Sequence, residues 1–203
     1  MVTSIKFLLI HFLPCMNNSH KKGFSFIEML IAVAIIGMAL PALFSIIFVV
    51  LQQETKVLRL SEVKRQGDYV LTVMDTVLRN NAVGIYTDQA LTTARCANAG
   101  DTENISGSNG NFYFKDKNSN YFRFYFTPDK ISSGSATTTG DLTTSKVMIQ
   151  NFKLTCKKSA AFSPAIVGIS FDICYKTSGG CSSTRVEETA TMSYQTSVKL
   201  RNQ

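Results

Sequence analysis

From Phe24 to Leu51 the chain runs for 28 residues in which Glu28 is the only formally charged side chain. As a helix rising 1.5 Å per residue that stretch spans about 42 Å, more than the ~30 Å hydrocarbon core of a bilayer. The whole chain has 203 residues, enough for one ordinary domain plus an anchor. The run is preceded by Lys21-Lys22-Gly23, and the basic pair keeps that end cytoplasmic by the positive-inside preference, so the remainder faces outward. A carboxylate inside a helix of this kind costs roughly 2.5–3.5 kcal/mol even on lenient insertion scales. Glu28 therefore either has a partner cation or sits at the membrane interface, where its charge is tolerated; charge alone leaves both readings open.

The segment Lys22-Gly23-Phe24-Ser25-Phe26-Ile27-Glu28, with an unbroken helical pattern up to Pro41, resembles the processing signature of type IV pilins and type II secretion pseudopilins. The resemblance covers about the first 60 residues and combines basic pair, glycine, aromatic, acid spacing and apolar length. It implies a prepilin peptidase that cuts after Gly23 and methylates the new terminal residue, Phe24. It also implies partners: other pilin or pseudopilin subunits, an inner-membrane assembly platform and the lipid bilayer. Glu28 would meet the free amine of a neighbouring subunit. No cofactor is implied. Gly37 matches the family's usual glycine in a region that unwinds during assembly, and Pro41 lies about one turn before the common proline. Pro41 removes the bond to the Gly37 carbonyl and loosens that turn. The ending Thr196-Ser197-Val198-Lys199-Leu200-Arg201-Asn202 is similar, more softly, to the tails of minor pilins and pseudopilins.

Residues 1–23 read as a leader rather than as fold. Ile5 to Leu13 is apolar, but no Ala-x-Ala-like cleavage site follows it. Either the leader is long or translation begins at Met16, which leaves a short basic leader ending at Gly23 and removes the odd cysteine, Cys15. Cleavage also removes Lys6, Lys21 and Lys22, lowering the formal charge from +7 to +4, together with both histidines, His11 and His20. Downstream there is no Lys/Arg cluster interleaved with aromatics beyond Lys157-Lys158 and an isolated Arg123, so DNA as a partner is left with weak electrostatic steering.

Four cysteines then remain in an extracytoplasmic setting where disulfides persist: Cys96, Cys156, Cys174 and Cys181. Three pairings are open to them. Cys174 and Cys181 bracket a short polar turn and suit a local bridge, which leaves Cys96 with Cys156. Without a CxxC pair or a histidine, no metal site is indicated.

Past Leu51 the pattern becomes amphipathic over 52–81, with Val57, Leu60, Val63, Val70, Met74, Val77 and Leu78 on one face and a gap around Gly67. Asn80-Asn81 suits the helix end. Residues 82–110 read as a linking loop with a helical turn at Thr87–Arg95. Five strands then follow. Phe112–Phe114 and Tyr121–Phe126 form a hairpin around Lys117–Asn120, with Phe122, Phe124 and Phe126 on one face. Residues 132–145 read as an exposed loop. In Lys146–Lys157 the residues Met148, Phe152, Leu154 and Cys156 share a face. The fourth strand turns Val167, Ile169, Phe171 and Ile173 one way and Asp172 and Cys174 to the wet side. In Val186–Leu200 the residues Ala190, Met192, Tyr194 and Val198 oppose Thr191, Gln195 and Lys199.

The expected architecture is α+β and pilin-like: a leader (1–23), a membrane half (24–51) and an amphipathic half (52–81) of one long helix, and an antiparallel β head (82–203). Serine–histidine and cysteine–histidine catalysis is excluded once the leader is gone. Glu187-Glu188 and Asp172 read as solvated carboxylates, Asn104-Ile105-Ser106 as a chance sequon, and Gly107-Ser108-Asn109-Gly110 lacks the helix start a phosphate loop needs. The expectation is a structural subunit of a type IV pilus or type II secretion filament, held in the inner membrane before assembly and in a periplasmic or cell-surface filament afterwards. Two alternatives stand beside it: an adhesive or DNA-capturing module at a filament tip, using loop 132–145 or the Cys174–Cys181 loop, and an ordinary membrane-anchored extracytoplasmic protein.

Overall fold

The computed structural model describes residues 23, 25–106, 112–185 and 188–201. The leader residues 1–22, including Lys21 and Lys22, together with Phe24, the Gly107–Gly110 loop, Val186, Glu187 and Asn202, lie outside the described residues. The chain divides into two units, Met1–Ile47 and Phe48–Gln203.

One helix, α1 (Phe26–Asn81), begins in the first unit and ends in the second. Ser25 stands just outside it, its carbonyl accepting from the amides of Glu28 (3.0 Å) and Met29 (3.2 Å). In the first unit every described side chain of α1 is exposed. The hydroxyl of Ser45, otherwise a polar group among apolar neighbours, is satisfied by the Ala42 carbonyl at 2.8 Å.

In the second unit α1 buries one face: Val63, Gln66, Gly67, Val70, Met74 and Leu78. These positions recur at three- and four-residue steps, which places them on one stripe. The stripe starts later than its sequence pattern indicates. Val57 and Leu60 are exposed, at 64% and 41%, because burial by the head begins only at Val63. The gap at Gly67 is filled from the other side, by the ring of Tyr194.

After Asn81 the Ala82 amide still donates to Leu78 (3.0 Å), and the Val83 amide passes to the Lys115 carbonyl (2.9 Å), so the chain leaves the helix directly into a sheet. Ten strands follow among the described residues: β1 (Gly84–Tyr86), β2 (Ala94–Arg95), β3 (Thr102–Ser106), β4 (Tyr113–Lys115), β5 (Tyr121–Thr127), β6 (Lys130–Ser135), β7 (Thr139–Asp141), β8 (Val147–Lys157), β9 (Ile166–Tyr175) and β10 (Thr191–Lys199). They make a six-stranded sheet, β2-β1-β4-β5-β6-β7, and a four-stranded sheet, β10-β9-β8-β3. Every pairing is antiparallel. The fold class is α+β, a long N-terminal helix packed on antiparallel sheets. Ile85, Phe114, Phe124 and Ile131 from one sheet and Ile149, Leu154, Val167, Ile169, Phe171 and Ile173 from the other form one core with the helix stripe.

The β4–β5 hairpin forms around Lys117–Asn120, with Phe114 opposite Phe122. Its turn is organised by Asp116, whose carboxylate accepts from the amides of Asn118 (2.8 Å) and Asn120 (2.7 Å). Phe124 is buried, and Phe122 and Phe126 pack against the core beside it.

Four local expectations are corrected. The segment Thr87–Arg95 is not a helical turn but the loop and second strand of the β1–β2 hairpin. Residues 132–145 are not simply an exposed loop, since β6 and β7 pair there and Ser132 and Thr143 are buried. In β8 the buried set is Val147, Ile149, Phe152, Leu154 and Cys156, so Met148 points to the opposite face from Phe152. The cause is a bulge between Gln150 and Lys153, with Asn151 in left-handed geometry at φ 52°, which inserts one residue and reverses the alternation. Cys174 is buried, not wet, and is bonded to Cys181.

The β1–β2 loop has its own organiser in Asp88. Its carboxylate accepts from the amides of Thr92 and Thr93, both at 3.0 Å, and from the Thr92 hydroxyl at 2.8 Å. These bonds, the Thr93 amide foremost, lower its pKa from 3.8 to about 2. A depressed carboxylate stabilises the fold fully above its unfolded pKa and loses that contribution as pH falls through the folded one. Protection of the Thr92 and Thr93 amides, measured against their intrinsic exchange rates, should thus be full above pH 3.8 and decline as pH falls towards about 2. In Asp88→Ala both amides are expected to exchange fast throughout, and unchanged protection would show that the loop does not depend on this carboxylate.

Candidate functional site

The exposed part of α1 has the composition of a membrane span, with a mean hydropathy of 2.7 in its most apolar stretch and none of that stretch buried. Phe26, Ile27, Met29, Leu30 and Ile31 stand around the first turns, all exposed. Glu28 lies among them in the first turn. There the positive end of the helix dipole favours a carboxylate by about 0.3–1 kcal/mol. That offsets only a fraction of the ~2.5–3.5 kcal/mol cost of an acid in such a helix. Among the described residues no lysine or arginine forms an ion pair with Glu28.

Gly23 and Gly37 carry a second signal. A Cβ built at either position meets nothing within 4 Å, and neither has a positive φ. The fold therefore makes no demand for glycine at either position, and within a helix glycine costs about 1 kcal/mol relative to alanine. Pro41 lies inside α1 and cannot donate to the Gly37 carbonyl, so that turn lacks one backbone bond.

The region Ser25–Leu40 falls inside a match to the family described as the prokaryotic N-terminal methylation motif, over residues 18–40. The chain carries a prepilin-type processing signal. This motif is the hallmark of type IV pilins and pseudopilins; it implies cutting by a prepilin peptidase and assembly with other subunits, and with the apolar helix it fits membrane anchoring. The match ends at residue 40, before any of the head. Neither a curated protein nor a solved structure matches the chain.

Beyond the motif, the head offers no described cluster of three histidine, cysteine or acidic side chains. Of the carboxylates considered for acid–base work, the two that are described, Glu188 and Asp172, are engaged. Glu188 accepts from the Ser183 hydroxyl at 2.6 Å and lies 3.8 Å from Arg59. Asp172 accepts from Asn151 at 2.6 Å. A cleft of ≈ 650 Å³ opens between Val73 and Val77 of α1, β5 and the β6–β7 hairpin, and its charged groups are Asp116 and Arg123. Asp116 holds its own turn, while the Arg123 guanidinium lies 4.5 Å from the Tyr125 ring centroid and donates to the Tyr113 hydroxyl at 3.1 Å. The structure pairs Cys96 with Cys156 and Cys174 with Cys181.

Two head contacts escape any sequence pattern. Arg59 lies over the Tyr175 ring, 5.2 Å from its centroid, and ties α1 to β9. The Tyr194 hydroxyl donates to the Lys64 carbonyl at 3.1 Å, and its ring stacks on Phe171 at 5.3 Å against the bare backbone of Gly67. Both are long-range; their only trace in the sequence is a glycine interrupting an amphipathic stripe.

Proposed function

We propose that the chain is a structural subunit of a type IV pilus or type II secretion filament, of minor-pilin or pseudopilin type. It inserts once in the inner membrane with Lys21 and Lys22 inside and the head outside. Prepilin peptidase cuts after Gly23 and methylates Phe24, and the mature chain assembles through the Phe24–Leu51 helix. Glu28 meets the Phe24 amine of a neighbour and sets axial register, while Gly37 and Pro41 let the helix adjust. The head's extended sheets and loops favour a minor component over a simple pseudopilin.

One observation supports this reading: the exposed apolar half of α1 has its single acid, Glu28, in the first turn, with no ion-pair partner among the described residues and five residues after Gly23. The deciding experiment is intact mass and N-terminal sequencing of the membrane-extracted protein. The expected result is a chain that starts at N-methylated Phe24. A chain starting elsewhere would make the motif mimicry and return an ordinary membrane anchor to the front.

A further inference from the structure

The four-stranded sheet ends on β10 and β3, and the longer of these end strands is β10, nine residues from Thr191 to Lys199; just beyond it the Arg201 amide donates to the Ala82 carbonyl at 3.4 Å, which bounds that edge. The Tyr175 amide donates to Ala190 and the Leu200 amide to Ala165, both at 2.9 Å, directly across the β9–β10 register. In an antiparallel pair such bonded positions alternate with outward-facing ones. Even-numbered residues of β10 therefore bond β9, and the backbone groups of Thr191, Ser193, Gln195, Ser197 and Lys199 face away from the sheet. The side chains of all five are exposed. The same reasoning applies at the far end. The Lys158 amide donates to Asp101 at 3.0 Å in the β3–β8 register, which turns Thr102 and Asn104 outward. Edge strands are ordinarily protected by proline, central lysines or bulges. Neither outward row has a proline, and the only charge in them is Lys199 at the strand end.

The direction of the strands selects the partner. Four strands, each antiparallel to the next, leave β10 and β3 running in opposite directions. A second copy displaced sideways without turning over brings its β3 antiparallel against β10. A two-fold β10-to-β10 pairing would instead reverse the half of α1 that packs on the sheets, and copies inserted in one membrane must point the same way. The geometry points to β10 of one head accepting β3 of a second copy of this chain, extending the sheet from subunit to subunit. The contact is head-to-tail, so it propagates rather than closes, and it is made by main-chain bonds, as in other strand additions. This inference rests on the reading of the chain as an assembling subunit and adds a head-to-head-neighbour bond to the helix contact.

The test uses the full-length chain, in membranes containing a prepilin peptidase, co-expressed in two tagged versions. Asn104→Cys is combined in turn with Ser193→Cys, Gln195→Cys and Ser197→Cys. At least one pair is expected to give an oxidised ladder of dimers, trimers and larger multiples, at least about tenfold above the single variants, the equivalent of 1.4 kcal/mol. Adding Gln195→Pro to the Ser193→Cys or Ser197→Cys pair should remove the ladder, because that amide faces outward and the β9 bonds survive. If added cysteines disturb the native bridges, a photo-reactive residue at position 197 reads the same contact by mass spectrometry, with β3 as the expected target. A dimer from Gln195→Cys alone, or a ladder that persists with Gln195→Pro, would overturn the arrangement. Absence of cross-links while the tagged copies still co-purify would overturn the strand contact and leave helix-driven assembly standing. Failure of the unmodified tagged copies to co-purify would remove both.

Discussion

Glu28→Ala is expected to fold, insert and be cut after Gly23, yet to enter assemblies at about a tenth of the normal level or less, since an unpaired charge in a packed bundle costs several kcal/mol. On the proposed pairing, the variant would relieve the helix of its own acid and leave each neighbouring Phe24 amine without a counter-charge. That asymmetry makes the effect specific to assembly: the isolated subunit loses only the dipole contribution of about 0.3–1 kcal/mol at the helix start. The head shares none of the loss, because its buried helix residues begin at Val63. Glu28→Gln should behave like Glu28→Ala, and Glu28→Asp should fall between, keeping the charge on a shorter arm. Co-purification of differently tagged subunits measures the effect, with protease resistance of the head as the folding control. Normal incorporation of Glu28→Ala would leave the acid with no role beyond the helix start.

The second large effect is at Gly67. Replacing it by alanine adds a Cβ that falls inside the Tyr194 ring, well within contact distance of Cε2 and Cζ. Two terms oppose each other. Alanine gains about 1 kcal/mol of helix propensity over glycine, whereas overpacking a filled site costs about 1–3 kcal/mol. The ring cannot retreat freely, since Phe171 stacks on its other side with an interplanar angle of 15°. Moving it also breaks the hydroxyl bond to Lys64, a further loss of about 0.5–1.5 kcal/mol. The net expectation for Gly67→Ala is destabilisation of the head by about 1–3 kcal/mol, read as a lowered denaturation midpoint. Adding Tyr194→Leu to Gly67→Ala should recover part of that loss by removing the ring, so the two changes together cost less than their sum. Strict additivity would show that the close approach is not what destabilises Gly67→Ala.

Much of this molecule could be read from its sequence, and the exceptions share a cause. The apolar run, its acid and the glycine before it are local signals, and the structure places them in and beside one helix. The β4–β5 hairpin was equally legible, since turn and alternation lie within fifteen residues, Phe112 to Phe126. Met148 was misplaced because period-two reasoning cannot anticipate the extra residue that Asn151 introduces. Val57 and Leu60 fit the helical stripe as well as Val63 does; where burial starts depends on how far the sheets reach, which no local window records. The β1–β2 hairpin was missed for a different reason. Its strands are two and three residues long, and its loop is gathered by one carboxylate, Asp88, which accepts from four donors. At the candidate site the structure describes Gly23 beside α1 and Glu28 in its first turn, whereas the contacts of Arg59 and Tyr194 carry no local signal, because they join segments more than a hundred residues apart.

The bridge from Cys96 to Cys156 closes a loop with a sequence separation of 60. Fully drawn out, that many residues would measure about 200 Å at ~3.3–3.6 Å each. Strands β3 to β7 and most of β8 lie inside the loop. If a subunit is pulled by its ends, this length stays locked, and the chain yields outside the bridge, through α1, β1 and β2 on one side and β9 and β10 on the other. An oxidised head thus has a short, fixed limit to its stretch, and one whose bridge is reduced would be far more extensible under the same load.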